Sequence, residues 1–297
     1  MQQRPYRCLL FVPGDKPEML AKATRFGADA YVLDLEDAVA EDNKHGARDI
    51  VRDAIPRFAE QGVGSFVRIN AVDTPHWLGD LQSIAVPGLT GIILPKAASV
   101  GEVTAISIVL DTLEDAAGIA RGTIDIQLLL ETAPGIQNAY ELMHASPRVR
   151  SAFGGAAPDA DVNRSLGFRW TKEGRETLYV RSRILLAARA AGLPYPVTGT
   201  WTDLEDLEGL RTYAIEGRNL GYSGMYAIHP GQVAVINEVF TPSAAEVERA
   251  RGIIAAMEQA ASEGLGAVRF EGTMIDIAMV AGAHEVLSFA EQVGVPV

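Results

Sequence analysis

Eight apolar runs of five to eight residues, rich in β-branched side chains, begin near Cys8, Ala30, Ser65, Gly91, Ile124, Val149, Tyr195 and Met225, and they constrain the fold more than anything else in the chain. Amphipathic stretches long enough for helical crossovers separate most of them, at 16–26, 44–61, 102–117, 136–145, 172–191 and 203–220. Strands joined by helical crossovers build a parallel sheet, because the right-handed crossover is close to obligatory. Eight such units predict an α/β fold, a (β/α)8 TIM barrel with a C-terminal helical extension. An open doubly wound sheet is the alternative, but no Gly-x-Gly-x-x-Gly turn follows the first strand to support it.

The barrel is expected over residues 1–240, and 241–297 as an extension of a different kind. Ser243, with Glu246 three residues on, has the spacing of a capping box and starts a charged helix over 243–263. A glycine-rich connector at 263–272 then leads to a last apolar helix over 273–292. This tail is expected to cover a barrel mouth, its own or a neighbour's. With 48% hydrophobic residues the chain can bury a large core, and a net charge of -12 argues against nucleic acid as the main partner. The single cysteine, Cys8, excludes an internal disulfide framework. No run of 18 apolar residues suggests a membrane span, and residues 1–7 are too polar and short for a secretory signal. The protein reads as soluble and cytoplasmic.

Reactive groups of such barrels lie at the carboxyl ends of the strands, so each strand's last polar residue is a candidate. The second run ends in Asp34, Glu36 and Asp37, three acids among apolar neighbours. The third carries Arg68, whose charge is permanent and requires a carboxylate, a phosphate or an oxyanion if it points inward. A structural ion pair with Glu36 is the plain alternative. The fourth ends in Lys96, a Schiff-base candidate that serves equally well to neutralise nearby acids. The fifth breaks off at Glu131, ahead of a Pro-Gly helix start, and the sixth leads into a loop holding Asp159 and Asp161. Acids at adjacent strand ends suit a hard divalent cation such as Mg2+. Zinc is disfavoured, because the five histidines form no short ligand spacing. His229 is the only histidine at a strand end and is expected to hydrogen-bond structurally. Asp276 belongs to the first turn of the last helix by this reading, either as a partner of the helix dipole or as a proton-transfer group whose apolar neighbours deliver it into a partly dry site.

Leu10-Phe11-Val12-Pro13-Gly14, Asp34-Leu35-Glu36-Asp37-Ala38-Val39, Val67-Arg68-Ile69-Asn70, Leu94-Pro95-Lys96, Glu131-Thr132-Ala133, Ala227-Ile228-His229-Pro230 and Gly272-Thr273-Met274-Ile275-Asp276 together resemble the citrate lyase beta subunit-like CoA ester lyases of the HpcH/HpaI aldolase superfamily. The resemblance runs in order along nearly the whole chain. It implies a TIM barrel that binds Mg2+ through Glu131 and Asp161, and an acyl-CoA substrate gripped by Arg68 with Lys96 and Asp37 beside it. Arg68, Asp276 and Glu36 are then the candidate catalytic residues. It also implies a homotrimer or hexamer in which the C-terminal segment brings Asp276 to a neighbouring site. The implied reaction makes or breaks a carbon–carbon bond next to a thioester, as in malyl-, citramalyl- or citryl-CoA. A thioesterase on the same scaffold and the beta subunit of a multi-protein citrate lyase are the alternatives.

Two segments depart from the family pattern. The loop after the sixth strand, 153–167, is longer by about four residues, so the metal acid falls at Asp161 when counted back from Leu166-Gly167 and nearer Ala157 when counted forward. It also carries an extra cation, Arg164. The second departure is Gly199-Thr200-Trp201-Thr202-Asp203, where relatives more often have Asp-Thr-Val-Tyr.

Overall fold

The computed structural model describes residues 5–154 and 160–297. Eight parallel strands form one sheet: β1 (Cys8–Pro13), β2 (Ala30–Asp34), β3 (Gly64–Arg68), β4 (Gly91–Leu94), β5 (Asp125–Leu129), β6 (Val149–Phe153), β7 (Val197–Thr198) and β8 (Gly224–Ala227). Their order is β6-β5-β4-β3-β2-β1-β8-β7, so β1 pairs with β8 as well as β2, and the sheet curls into a barrel with a seam where β6 meets β7. Helices connect successive strands, the arrangement expected of crossovers in a parallel sheet. The (β/α)8 reading therefore holds, although the seventh strand is only two residues long.

Residues from all eight strands fill the barrel: Leu9, Val32, Phe66, Ile93, Leu129, Phe153, Val197 and Tyr226 belong to one buried cluster. Tyr226 stacks on Phe153 with ring centroids 3.9 Å apart, and its hydroxyl donates to the Gln127 amide oxygen. A phenol can enter an apolar core because that hydrogen bond satisfies its one polar atom. Outside the barrel, the helix Lys44–Glu60 buries Ala47, Val51, Ala54, Ile55 and Phe58, a 3–4 spacing that makes one apolar face.

The amino-terminal end of the barrel is closed by charge. Arg148 donates to both Glu114 oxygens and to the Ile124 carbonyl, and Asp111 completes the cluster from the rim. Glu114 also accepts the Gly122 and Ile124 amides at 2.8 and 2.7 Å. Burial alone would raise the Glu114 pKa; Arg148 and the two amides outweigh it and lower it.

Chain compactness divides the described structure into two units, 1–237 and 238–297. In the second, the capping box is present: the Ser243 hydroxyl accepts the Glu246 amide and Glu246 reaches back to Ser243, starting the helix Ala244–Ser262. The connector and the start of the last helix differ from expectation. Residues 263–272 are not wholly irregular and 273–276 are not helical. Strands β9 (Ala267–Phe270) and β10 (Thr273–Asp276) pair antiparallel across a two-residue turn. Glu271 and Gly272 both have positive φ, 46° and 82°, as a type I′ hairpin requires. Of Thr273–Asp276 only Ile275 is buried, and its neighbours Met274 and Asp276, which point to the opposite face of the strand, are exposed. The last helix runs Ile277–Gln292. Among the described residues, no helix is long and apolar enough to cross a membrane.

Candidate active site

Register builds the first part of the site. Pro13 pairs laterally with Asp34, and Asp34 with Arg68, so the last residues of β1, β2 and β3 form one row at the barrel mouth. Asp34 and Arg68 thus point the same way, and the guanidinium clamps the carboxylate with two bonds, Nε to Oδ1 at 2.7 Å and Nη2 to Oδ2 at 2.6 Å. The same carboxylate accepts the Glu36 and Ala38 amides at 3.0 and 3.1 Å, which turns the chain after β2 and brings Glu36 back over the mouth. Gly14 makes room for that turn: its amide lies 2.8 Å from the Asp34 carbonyl, and a Cβ there would sit 2.4 Å from that oxygen. Arg68 Nη1 is left facing Glu36 at 3.1 Å and Asp37 at 3.3 Å, with the Phe11 ring 5.2 Å beneath the guanidinium.

The fourth and fifth strands supply the opposite side. Lys96 follows β4 with φ 53°, a left-handed conformation that is costly for a residue with a Cβ. In it, the Lys96 amide donates to Glu131 Oε1 at 3.1 Å while its ammonium reaches Glu36 at 3.2 Å. Glu131 lies two residues beyond β5, just ahead of Thr132, which caps the next helix with its hydroxyl accepting the Gly135 amide. Asp161 opens the helix Asp161–Leu166 and is held by Arg164, with Lys96 Nζ 3.9 Å away.

These groups line a cavity of about 830 Å³ at the carboxyl ends of the strands, with Asp34, Asp37, Arg68, Lys96, Glu131, Asp161 and Arg164 as its charged wall. Phe11, Leu129, Phe153 and Ile228 provide its apolar wall. Burial pushes the Glu131 carboxyl up to about 7, and the neighbouring Glu36 charge adds to it, against the pull of Arg68 and Lys96. Burial likewise raises Glu36, opposed by Arg68. For Lys96 burial acts downward, yet the Glu36 carboxylate raises it overall, so its amine stays protonated and is a poor Schiff-base nucleophile. Arg68 also rises despite its burial, through Asp34.

Five of the six barrel residues expected at the site, Arg68, Asp37, Lys96, Glu131 and Asp161, line this cavity, and Glu36 is bonded to two of them. Asp159 and Ala157 lie outside the described residues. Asp276 stands in the second unit, exposed, where its Oδ1 accepts the Ala278 amide at 3.0 Å and caps the last helix instead of lying in its first turn. His229 caps a turn by accepting the Gly231 amide at 3.1 Å, the structural role expected of it. Sequence reasoning underrated Asp34, which is the principal anchor of Arg68, and passed over Phe11; the signal for Asp34 was its place as the last residue of a fully buried strand.

Glu131 and Asp161 offer oxygen donors only, and Glu131 is a carboxylate whose charge its surroundings undercompensate. Such a pair fits a hard divalent cation that keeps water or substrate oxygens in its other positions. Among the described residues no group of three or more histidine, cysteine or acidic side chains could hold a metal by itself.

A cavity with a fixed guanidinium and several carboxylates at the carboxyl ends of barrel strands stands where enzymes of this fold carry their active sites. More narrowly, the chain belongs to the HpcH/HpaI aldolase/citrate lyase family, whose profile matches residues 7–230, and is a lyase of that family. It is 36% identical over 305 residues to the L-malyl-CoA/beta-methylmalyl-CoA lyase of Rhodobacter capsulatus, covering 96% of this chain and 94% of that one. It is 39% identical over 286 residues to a citrate lyase subunit beta-like protein of Deinococcus radiodurans, covering 95% and 96%. Among solved structures, it is similar to the CitE protein of Mycobacterium tuberculosis in complex with magnesium, acetoacetate and coenzyme A, with TM-score 0.78, 33% identity, and coverage of 98% of this chain and 100% of that one.

Proposed function

We propose that this chain is a Mg2+-dependent carbon–carbon lyase acting on a short 3-hydroxyacyl-CoA of the malyl-, citramalyl- or citryl-CoA type. The observation that carries the reading is the pairing of Arg68, locked by Asp34, with Glu131 and Asp161 in a single cavity. The names of the relatives and the magnesium and coenzyme A of the CitE complex support it.

In cleavage, the 3-hydroxyl gives up its proton, the bond between C2 and C3 breaks, C3 becomes a carbonyl, and the electron pair forms a thioester enolate that takes a proton at carbon. A 2-oxo acid and acetyl-CoA result when the acyl group is unsubstituted at C2. Glu131 and Asp161 are the residues that would hold Mg2+, which polarises the substrate's hydroxyl and carboxylate oxygens when bound. Arg68 faces the oxygen on which negative charge develops, and its bidentate bond to Asp34 means that it need not reorient during the reaction. Glu36, whose burial raises its pKa against the pull of Arg68, lies between Arg68 and Lys96 and holds both cations at the site. Lys96 and Asp37 bound the substrate's polar end. Asp276 is the acid/base at the enolate carbon, supplied from a neighbouring subunit of a homotrimer or hexamer. The protein works as a soluble cytoplasmic enzyme on this reading.

Incubating the purified protein with Mg2+ and the three CoA esters, with 2-oxo acid and free thiol assayed in parallel, tests the proposal. Oxo acid without free thiol is expected. Free thiol without oxo acid would identify a thioesterase, and turnover only on acyl-carrier-bound substrate would point to a subunit of a larger lyase.

A further inference from the structure

A second cavity, of about 680 Å³, lies outside the barrel between the helices Leu178–Ala190 and Leu207–Leu220. Arg181, Trp201, Tyr213, Lys172 and Glu216 are on its wall. None of them borders the cavity at the barrel mouth, although Thr200, one residue before Trp201, does. The lyase chemistry leaves this place unexplained, and Trp201 on its wall belongs to the segment 199–203 where the sequence leaves the family pattern.

Its chemistry is that of unanswered donors. Arg181 is only 3% exposed, yet among the described residues its Nε and Nη1 have no hydrogen-bond acceptor. The buried Trp201 Nε1 has none either. Burying a guanidinium without full pairing is costly, so such an arrangement needs a reason. Only Nη2 is engaged, at 3.4 Å to the Gly174 carbonyl and 3.3 Å to the carboxylate of Glu216, which is itself 46% exposed. Both contacts are long for a charged donor. The Tyr213 ring lies 5.1 Å from the guanidinium and fixes its plane. Gly209 lets the indole pack close: a Cβ there would be 2.5 Å from the Trp201 ring. Lys172 is committed to Asp206 at 2.7 Å and Asp203 at 3.6 Å, which leaves the buried Arg181 and the exposed Arg175 as the cations of this wall available to a ligand among the described residues.

We propose that this outer cavity is a second ligand site, for a small molecule bearing a carboxylate or phosphate group, in which the oxyanion displaces Glu216 from Arg181 and takes the guanidinium and indole N–H groups. Two planar donors beside an aromatic wall match an oxyanion with two accepting oxygens.

Calorimetric titration of the full-length protein with inorganic phosphate, and separately with acetate, tests this. One saturable site per chain is expected, unchanged in Arg68→Ala. Arg181→Gln should weaken it by about tenfold or more, as loss of a charge-assisted pair does, and Trp201→Phe, which keeps one aromatic ring and removes the N–H together with the five-membered ring that carries it, by severalfold. Tighter binding of phosphate assigns phosphoryl ligands to the site and tighter binding of acetate assigns carboxylates. Loss of binding in Arg68→Ala with retention in both outer-cavity variants would place the anion in the barrel mouth and overturn the proposal, as would absence of saturable binding of either anion.

Discussion

At the residue scale, the site depends on one fork and one underpaired acid. The Arg68–Asp34 pair is bidentate and nearly buried. Arg68→Ala is therefore expected to lower kcat by roughly 10²–10³-fold, the usual cost of removing a preorganised charge stabiliser. Arg68→Lys should recover little of it, because an ammonium cannot make the two parallel bonds. Glu131 gives the pH dependence. Its carboxyl stands at about 7 in the folded chain against 4.5 ordinarily, so it holds its proton more tightly folded than unfolded. The stability it contributes is present at low pH and is lost as pH rises from 4.5 to about 7. In chelator, Glu131→Gln is expected to be more stable than wild type at pH 8 by about 1–3 kcal/mol, with the gain vanishing below pH 5. Urea melts at the two pH values check this; a variant no more stable than wild type at pH 8 would show that the charge is already compensated. Arg68, Lys96 and Glu131 were legible in the sequence because each is a charged residue where an apolar run stops. The role of Asp34 was not, because it depends on the register of β2 against β3, which no local pattern specifies.

At the scale of elements, strands and helices do different work. The helix Val100–Ala117 carries Glu114 to Arg148 ahead of β6 and so ties the helical layer to the barrel's amino-terminal end. Glu114→Ala leaves a buried guanidinium facing one rim carboxylate, and a loss of about 3–5 kcal/mol is expected, with kcat per folded molecule unchanged. A chemical melt together with an active-site titration separates the two effects; an unchanged midpoint would contradict the structural role. Eight strands and most crossover helices followed from apolar periodicity alone. The hairpin at 267–276 did not, because its strands are four residues each and its turn is Glu-Gly rather than the Asn-Gly or Asp-Gly pair that signals a type I′ turn. The helix Trp77–Ile84 escaped notice for a related reason: at two turns it is too short to establish a period.

At the scale of the whole molecule, the division into 1–237 and 238–297 separates the barrel chemistry from Asp276. If a neighbour supplies Asp276, Arg68→Ala and Asp276→Ala should each be nearly inactive alone, while subunits of the two variants, dissociated and reassembled together, regain activity through sites built from one intact barrel and one intact extension. No recovery from verified mixed oligomers would mean that each chain serves itself or that Asp276 is not used. Within one site, Glu131 and its partners are proposed to perform a metal-assisted cleavage of a CoA ester. Release of 2-oxo acid from the preferred CoA ester, followed while Mg2+ is titrated into chelator-treated wild type and Glu131→Gln, tests it most directly. Saturable dependence on Mg2+ in wild type, with no release from Glu131→Gln at any concentration, is the expected result. Turnover that survives chelation in wild type and persists in Glu131→Gln would contradict it.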